Sequence, residues 1–390
     1  NAPMTLFRPT PVARALGLAF AGTALAQPAV PSADTALTLG QVVVSSGASG
    51  PLEARRLLTS VDILPGERIE NQVAQNNWEL LGQVPGVMLT QFGQGTTSGK
   101  FSMRAFNGEG EINAVKLLID GVPSNSNDGN MPYIDLAPRV DIDAIEVVRG
   151  TNDARYGLHN IAGNANIATR SGGNYLLGRA SYGSFNATDL QAAAGIEKDG
   201  LAQNYAVAVQ RTDGYRDHSE AQGASFSGKW FFTPQGGTSR FGLIARHYTA
   251  SAEEAGYLTR SQRTLNPDQS PAHNATDEDR RQVSQFAVQG EAELGGRWFW
   301  NGQLYLNNLD DHRFVKFSAG ASQQERIVLE THTGISNTLT WRGGQTAIGQ
   351  LSVMGGFDAE HQDNRSQRYN TASQVRQSQT RNQSFDFDTQ

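Results

Sequence analysis

From Asn174 to the end of the chain, apolar and polar residues alternate in segments of about ten residues. Phe286 and Val288 fall on one side of such a segment, and Gln285 and Gln289 fall on the other. This alternation predicts β-strands with one apolar and one polar face, a pattern typical of transmembrane β-barrels. A soluble β-sandwich alternates too, so the period alone leaves both architectures open.

The connections between these segments favour the barrel. Short turns are predicted at Asp199-Gly200, Pro234–Gly237, Gly295-Gly296 and Gly343-Gly344. Longer connections are predicted near 213–222, 252–281, 312–326 and 362–378. Membrane barrels have short turns on one side and long loops on the other, and aromatic residues collect at the two membrane interfaces. Trp298 and Trp300, beside one of the short turns, fit this pattern. The sequence therefore predicts about ten antiparallel transmembrane strands in residues 173–390.

Composition narrows the classes of function. The chain has 390 residues, a net charge of −6 and no cysteine. No strong basic field indicates a nucleic-acid partner, and cysteine-based metal sites and disulfides are excluded. The seven histidines are scattered, and no nucleophile, nucleotide or metal motif is present. We therefore expect neither an enzyme nor a cofactor or metal site.

The first 26 residues have the pattern of a signal peptide. Arg8 and Arg14 precede an apolar run, and Ala24-Leu25-Ala26 matches the small residues of a cleavage site. The alternative is a small amphipathic surface helix. Residues 27–51, rich in Pro, Ala, Ser and Gly, are predicted to form an extended tail.

Residues 52–172 are predicted to form one compact mixed α/β domain. A helix is expected at Asn76–Leu81, before Pro85-Gly86. Strands are expected at Phe101–Phe106, Ala114–Ile119 and Ile142–Val148.

Five short motifs mark this domain, in a fixed order. They are Arg104-Ala105-Phe106, Asp120-Gly121-Val122-Pro123, Ile145-Glu146-Val147-Val148-Arg149-Gly150, Tyr156-Gly157 and Asn166-Ile167. Together they resemble the plug domain of TonB-dependent outer-membrane receptors. Ala105 stands where the family usually has Gly, and Thr151 where it usually has Pro. These departures affect details of the gate and leave the resemblance of the domain intact.

The resemblance implies a fold and a function. A mixed α/β plug domain would be followed by an antiparallel transmembrane β-barrel with about ten strands present of about 22 expected, so we expect an incomplete chain that does not transport alone. The protein would lie in the outer membrane of a Gram-negative cell, with its tail in the periplasm, and would take up an iron chelate such as a ferric siderophore or a ferric citrate-like complex. Its partners would be this ligand, outer-membrane lipid and the TonB energy-transducing protein of the inner membrane.

Other interpretations of the cargo and of the protein class stay open. Cobalamin, another metal chelate or a saccharide could be the cargo of the same kind of receptor. A passive porin or an adhesin scaffold is a further alternative, which the plug-like domain argues against.

The resemblance also suggests site residues. A TonB box is expected at Gln41, Val42, Val43, Val44, Ser45 and Ser46, where an extended segment could add to the edge of a partner sheet; the alternative is the first strand of the next domain. Ligand contacts are expected from Gln94, Thr96, Thr97, Asn125, Asn127, Met131, Tyr133, Arg246, His247, Arg260, Arg263 and Arg313. A plug–barrel lock is expected from Arg104, Glu146, Arg149, Arg155, Glu291 and Glu293, with Arg149 paired to Glu291 or Glu293. The alternatives are solvated loop residues and weak surface ion pairs.

Overall fold

The computed structural model describes the mixed domain and the alternating region. The described residues are 60–72, 74, 76–91, 99–106, 114–150, 159–235, 237–346 and 349–390. The predicted signal peptide, tail and TonB box lie outside them. In this part of the chain, no helix combines the length and the apolar character needed to cross a bilayer.

The described residues of the mixed domain, hereafter the plug, form seven strands and two short α-helices. The strands are β1 (Ser60–Pro65), β2 (Val87–Gln91), β3 (Gly99–Met103), β4 (Val115–Ile119), β5 (Val122–Pro123), β6 (Ile142–Arg149) and β7 (Gly163–Thr169). The helices are α1 (Gly66–Glu70) and α2 (Asn77–Leu80). Five strands form one sheet in the order β1-β6-β7-β4-β5, and β2 pairs with β3. The helix and strands expected from the sequence are confirmed, although β3 ends at Met103 because Arg104 and Ala105 turn the chain with positive φ.

The plug core lies on both sides of strand β4. Every residue of this strand is buried, including Lys116, because it lies inside the sheet with neighbours on both faces. Leu117, Ile119 and Ile167 are wholly buried in one apolar cluster. Helix α2 begins with a capping box between Asn76 and Glu79, which satisfies backbone donors at its first turn.

The alternating region forms one antiparallel sheet of ten strands, hereafter the wall. The strands are β8 (Tyr175–Tyr182), β9 (Thr188–Lys198), β10 (Leu201–Thr212), β11 (Ala221–Phe232), β12 (Arg240–Glu253), β13 (Glu278–Gly295), β14 (Trp298–Val315), β15 (Gln323–Thr346), β16 (Gly349–Ala372) and β17 (Val375–Thr389). Each strand pairs with its sequence neighbour. A short helix, α3 (Arg260–Leu265), lies in the long connection between β12 and β13.

The two faces of the wall differ as the alternation predicts. Ile244 is fully buried on the face toward the plug, whereas its neighbour Leu243 is 47% exposed on the other face. Phe286 and Val288 also lie on this outer face, at 46% and 53% exposure. An outer surface of exposed aliphatic and aromatic residues matches the apolar band of a membrane barrel.

Two predicted connections are wrong. Gly343-Gly344 lies within β15, at a register shift, and no turn occurs there. Residues 362–378 form no long loop, because β16 continues to Ala372 and β17 begins at Val375. Ser373 and Gln374 make a two-residue turn with φ of 46° and 67°, the geometry of a type I′ hairpin that is usually formed by Asn and Gly.

Candidate functional site

The turn after β4 carries the main polar contact between plug and wall. Asp120 accepts hydrogen bonds from the backbone N (2.7 Å) and Oγ1 (2.6 Å) of Thr169 in β7. It also accepts a hydrogen bond from the guanidinium of Arg246 in β12, and Arg246 is 1% exposed. The plug therefore presents a buried carboxylate to a buried cation of the wall.

A second cation and a second carboxylate complete this cluster. Lys229 Nζ of β11 lies 3.6 Å from Asp141 Oδ2 and 3.9 Å from Asp120 Oδ2. Lys229 and Asp141 are each 1% exposed. Two wall cations thus face two plug carboxylates away from water, where an unpaired charge is costly.

Burial and these charges shift the two carboxylates in opposite directions. Burial acts to raise the pKa of Asp120, but Lys229, Arg246 and the Thr169 hydrogen bonds outweigh it and hold the pKa below its ordinary value. Burial raises the pKa of Asp141 and outweighs its attraction to Lys229. Asp120 is therefore the firmly ionised member of the cluster.

Neutral side chains of the wall hydrogen-bond the backbone beside Asp120. Gln289 Nε2 donates to the carbonyl of Asp120 (2.7 Å), and Gln303 Nε2 donates to that of Gly121 (3.0 Å). Asn307 Nδ2 donates to the carbonyl of Pro123 (2.7 Å), and Gln285 Nε2 donates to Ser124 Oγ (3.1 Å). The Asp-Gly-x-Pro turn is therefore held at successive positions by inward residues of β13 and β14.

Other contacts attach the plug elsewhere. Arg139 forms a buried ion pair with Asp189 of β9, and the backbone N of Val140 donates to Gln191 Oε1 (3.0 Å). Apolar contact also contributes, because Tyr248, Ala250, Val283 and Leu309 of the wall belong to the apolar cluster that fills the plug. The interface is a mixture of apolar packing and buried polar bonds.

The loop after β5 connects plug and wall at its tip. Asn125, predicted as a ligand contact, is buried and holds the loop by accepting from Leu117 N (2.8 Å) and donating to Gly129 O (3.1 Å). The backbone N of Asn127 donates to Glu330 Oε2 of β15 (3.0 Å). His332 Nε2 lies 3.1 Å from the same oxygen. This loop is therefore tied to a wall carboxylate.

The structure separates the other candidate ligand residues. Met131 and Tyr133 are buried in the plug core, and burial raises the pKa of Tyr133. Arg246 belongs to the buried junction with Asp120, away from open space. His247 is exposed on the opposite face of β12, beside Ser284, because successive strand residues point in opposite directions.

The candidates near the long connections are also dispersed. Arg260 and Arg263 are exposed on α3. Arg313 forms a bidentate pair with Glu254, at 2.6 and 2.7 Å. Gln94, Thr96 and Thr97 lie outside the described residues. The structure therefore does not gather the predicted ligand contacts into one group.

The predicted lock pairing of Arg149 requires correction. Arg149 Nη2 lies 2.6 Å from Asp62 Oδ2 of the neighbouring plug strand β1, and no pair with Glu291 or Glu293 occurs among the residues that the structure describes. Register explains this result, because Ser60 lies directly opposite Arg149 and brings β1 beside it.

The remaining lock candidates form no ion pair with one another in the described ranges. Arg104 is exposed at its turn, Glu293 is exposed near the end of β13, and Glu291 is half-buried. Glu146 is half-buried in the plug, and burial raises its pKa. Arg155 lies outside the described residues.

Sequence reasoning missed Asp120, Asp141 and Lys229 as site residues. Asp120 is predicted only as part of the Asp-Gly-x-Pro turn motif, and Lys229 lies between Gly228 and Trp230 at an inward position of its strand. The available signal was a charge at an inward position of a strand, which must find a buried partner. Among the described residues no group of His, Asp and Glu could hold a metal ion.

Comparison with known proteins identifies the first domain. A sequence profile described as the TonB-dependent Receptor Plug Domain matches residues 53–164. The Vitamin B12 transporter BtuB of Vibrio vulnificus (strain CMCP6) is 31% identical over 115 residues, which are 30% of this chain and 18% of that protein. The Iron-regulated outer membrane virulence protein of Vibrio cholerae serotype O1 (strain Classical Ogawa 395) is 31% identical over 176 residues, which are 43% of this chain and 25% of that protein.

Solved structures share the arrangement of plug and wall. The unliganded ferric citrate transporter FecA superposes with a TM-score of 0.70 at 20% identity, covering 83% of this chain and 50% of that chain. The pyoverdine outer membrane receptor FpvA from Pseudomonas aeruginosa PAO1 superposes with a TM-score of 0.71 at 14% identity, covering 87% and 55%. The chain thus spans about half the length of these receptors. Residues 53–164 therefore match a TonB-dependent receptor plug domain, and the plug with its ten-stranded wall has the fold of these outer-membrane receptors.

Proposed function

We propose that this protein takes up an iron chelate, of the ferric siderophore or ferric citrate type, across the outer membrane. The observation that carries the proposal is the plug seated against the inner face of the wall through the Asp120, Arg246 and Lys229 cluster. A domain in this position obstructs passive flow, so a solute passes only when the plug moves. The names of the relatives, which include a ferric citrate transporter and a pyoverdine receptor, support an iron chelate as the cargo.

The energy for this movement would come from TonB. Residues 41–46 would form the TonB box in the periplasmic tail, residues 52–172 the plug, and residues 173–390 the part of the barrel present here. An extended segment binds another protein through its main-chain hydrogen bonds when it adds to the edge of a sheet. Pulling on the tail would then strain the plug–wall bonds one after another.

Uptake of radioactive iron by cells that express the intact receptor tests the proposal. Val43→Pro removes a main-chain donor from the box, whereas Val43→Ala keeps it. We expect the proline variant to lose energised uptake of ferric citrate or a ferric siderophore, and the alanine variant to retain it. Unchanged uptake by the proline variant, or equal uptake by cells with and without TonB, contradicts the proposed mechanism.

Cobalamin is the second candidate cargo, because BtuB is 31% identical over 115 residues. Radioactive cyanocobalamin in the same assay separates the two. Uptake of cyanocobalamin without uptake of any iron chelate would replace the iron proposal with this one.

A further inference from the structure

Four arginines lie in one row across the strands β14 to β17. Arg313 is directly opposite Arg326, Arg326 is opposite Arg368, and Arg368 is opposite Arg381. Directly opposite side chains of an antiparallel sheet lie on the same face, and neighbouring strands are about 4.8 Å apart. The row therefore concentrates like charges, which by itself destabilises a sheet.

The row lies on the face of the wall that is turned to the plug. Arg326 is four positions from Glu330 on the same strand, and Glu330 accepts the hydrogen bond from Asn127 of the plug loop. Residues an even number of positions apart share a face, so Arg326 lies about 13 Å beyond the plug contact. The row lies near the end of the wall that carries the long connection with α3. Arg313, a member of the row, contacts Glu254 at the start of that connection.

Only one member of the row has a carboxylate partner in the described part of the chain. Arg313 is paired with Glu254, whereas Arg326, Arg368 and Arg381 form no ion pair with any described Asp or Glu. Arg326 is held by Gln324 Oε1, at 3.2 and 3.0 Å from its Nε and Nη2, and its guanidinium lies 4.9 Å from the centre of the Phe317 ring. The positive charges of Arg368, Arg313 and Arg381 repel that of Arg326, and the negative charge of Glu254 offsets this repulsion in part.

Carboxylates face Arg313, where Asp279 lies directly opposite it, but the inward pairs beside Arg326 and Arg368 are uncharged. Gln324 and Asn370 form the next inward pair on one side, and Val328 and Ser366 form the next pair on the other. On the outer face of the same strands, by contrast, Glu325 lies between His312 and Arg376 and pairs with both. Arg326, Arg368 and Arg381 thus lack a carboxylate partner of the kind that Arg313 has in Glu254 and that His312 and Arg376 have in Glu325.

We propose that Arg326, Arg368 and Arg381 form a binding site for a polyanionic chelate that carries several carboxylate or catecholate oxygens. Guanidinium groups donate paired hydrogen bonds to such oxygens, and three of them in a row match a ligand with oxyanions about 5 Å apart. The ligand would supply the negative charge that the row lacks. This inference rests on the proposed uptake function and names the chemical class of its substrate.

Equilibrium binding to the purified intact receptor tests the site. The probes are ferric citrate, a ferric tris-catechol complex, an uncharged ferric tris-hydroxamate complex, and citrate alone. The variants are Arg326→Gln, Arg368→Gln and their combination, and the matched control is Arg365→Gln, on β16 but on the opposite face. We expect each inward substitution to weaken binding of an anionic probe about tenfold, and the control to leave it unchanged. The unliganded double variant should unfold at the same or a higher temperature, because repulsion is relieved.

Each result assigns the ligand or rejects the site. Loss of ferric citrate binding indicates a carboxylate ligand, and loss of tris-catechol binding indicates a catecholate. Equal binding of every anionic probe by the wild type and the double variant overturns the site. If the wild type binds only the uncharged complex, the site is wrong while iron uptake stands. If citrate alone binds through the arginines but no iron complex binds, the site stands and the proposed function fails.

Discussion

Asp120 in the plug and Arg246 in the wall form a buried ion pair between residues 126 positions apart in the sequence. Lys229 lies 3.9 Å from the same carboxylate, so one plug residue neutralises two wall cations in part. This relationship places one negative charge of the plug against two buried cations of the wall, beside the other polar and apolar contacts between them. It also provides the most direct point at which to perturb the attachment of the plug.

Asp120→Asn should loosen the plug without altering its apolar core. The change leaves Arg246 and Lys229 buried with less compensation, which costs about 3–5 kcal/mol when a buried pair loses one partner. Hydrogen exchange of peptides that cover residues 115–124 measures the free energy of plug opening. Asp143→Asn, at an exposed position of β6, is the control and should stay within about 0.5 kcal/mol of the wild type. Equal protection in both variants would show that the ion pair does not hold the plug.

The same carboxylate predicts a response to acid. The pKa of Asp120 is below its ordinary value of 3.8 in the folded protein, so its contribution to stability is present above that value and is lost as the pH falls through the folded pKa. Urea should therefore open the plug more readily at about pH 3 than at about pH 5. Asp120→Asn should show a smaller difference between the two pH values. An identical pH difference in the wild type and the variant would contradict this assignment.

Glu330 should control the mobility of the loop after β5. Glu330→Ala removes the acceptor for the backbone N of Asn127, a bond to a charged group worth about 1.5–3 kcal/mol. The amide of Asn127 should then exchange about tenfold to a hundredfold faster. Glu330→Gln keeps an acceptor oxygen at the same position and should preserve most of the protection. Exchange that is equally slow in the alanine variant would mean that other contacts hold the loop.

A substitution in the turn between β16 and β17 should stabilise the hairpin that these two strands form. Ser373 and Gln374 both have positive φ, which Asn and Gly adopt at lower cost. The change Ser373→Asn should stabilise the hairpin by about 0.4–1 kcal/mol, measured as slower exchange of the amides in residues 368–379, and it leaves the hydrogen bond from Gln374 Nε2 to the Thr276 carbonyl in place. Faster exchange would indicate that the original side chain makes contacts that outweigh the backbone preference.

The sequence predicted most of the strands because alternation and turn residues are local signals. It predicted short turns correctly at Asp199-Gly200 and Gly295-Gly296, where Gly or Asp adopts positive φ. It failed at Ser373-Gln374, because those residues do not usually form a tight turn and the polar ends of β16 and β17 resemble a loop. Local patterns predict on which face of the sheet a strand residue lies, but they do not predict at which residue the strand ends.

The site was harder to predict than the fold. Alternation places Arg246 and His247 on opposite faces, so they could not share one ligand site, yet it does not say which face meets the plug. The partner of Arg246 comes from a turn 126 positions away, and only the assembled structure brings them together. Arg326 and Arg368 went unnoticed for the same reason, because their alignment depends on strand register.

The most direct test of the account joins plug to wall covalently. Residues 1–390 contain no cysteine, and Gln285 Nε2 lies 3.1 Å from Ser124 Oγ. Because cysteine is shorter than glutamine, Ser124→Cys with Gln285→Cys is linked with a short, reducible bis-thiosulfonate reagent. The matched control, Asn308→Cys with Thr331→Cys, joins two neighbouring strands of the wall. In cells that express the intact receptor, we predict that the plug–wall link reduces iron-chelate uptake at least about tenfold, that reduction of the link restores it, and that the control pair transports normally. Uptake at the wild-type rate with the plug fully linked to the wall would contradict the claim that the plug must move.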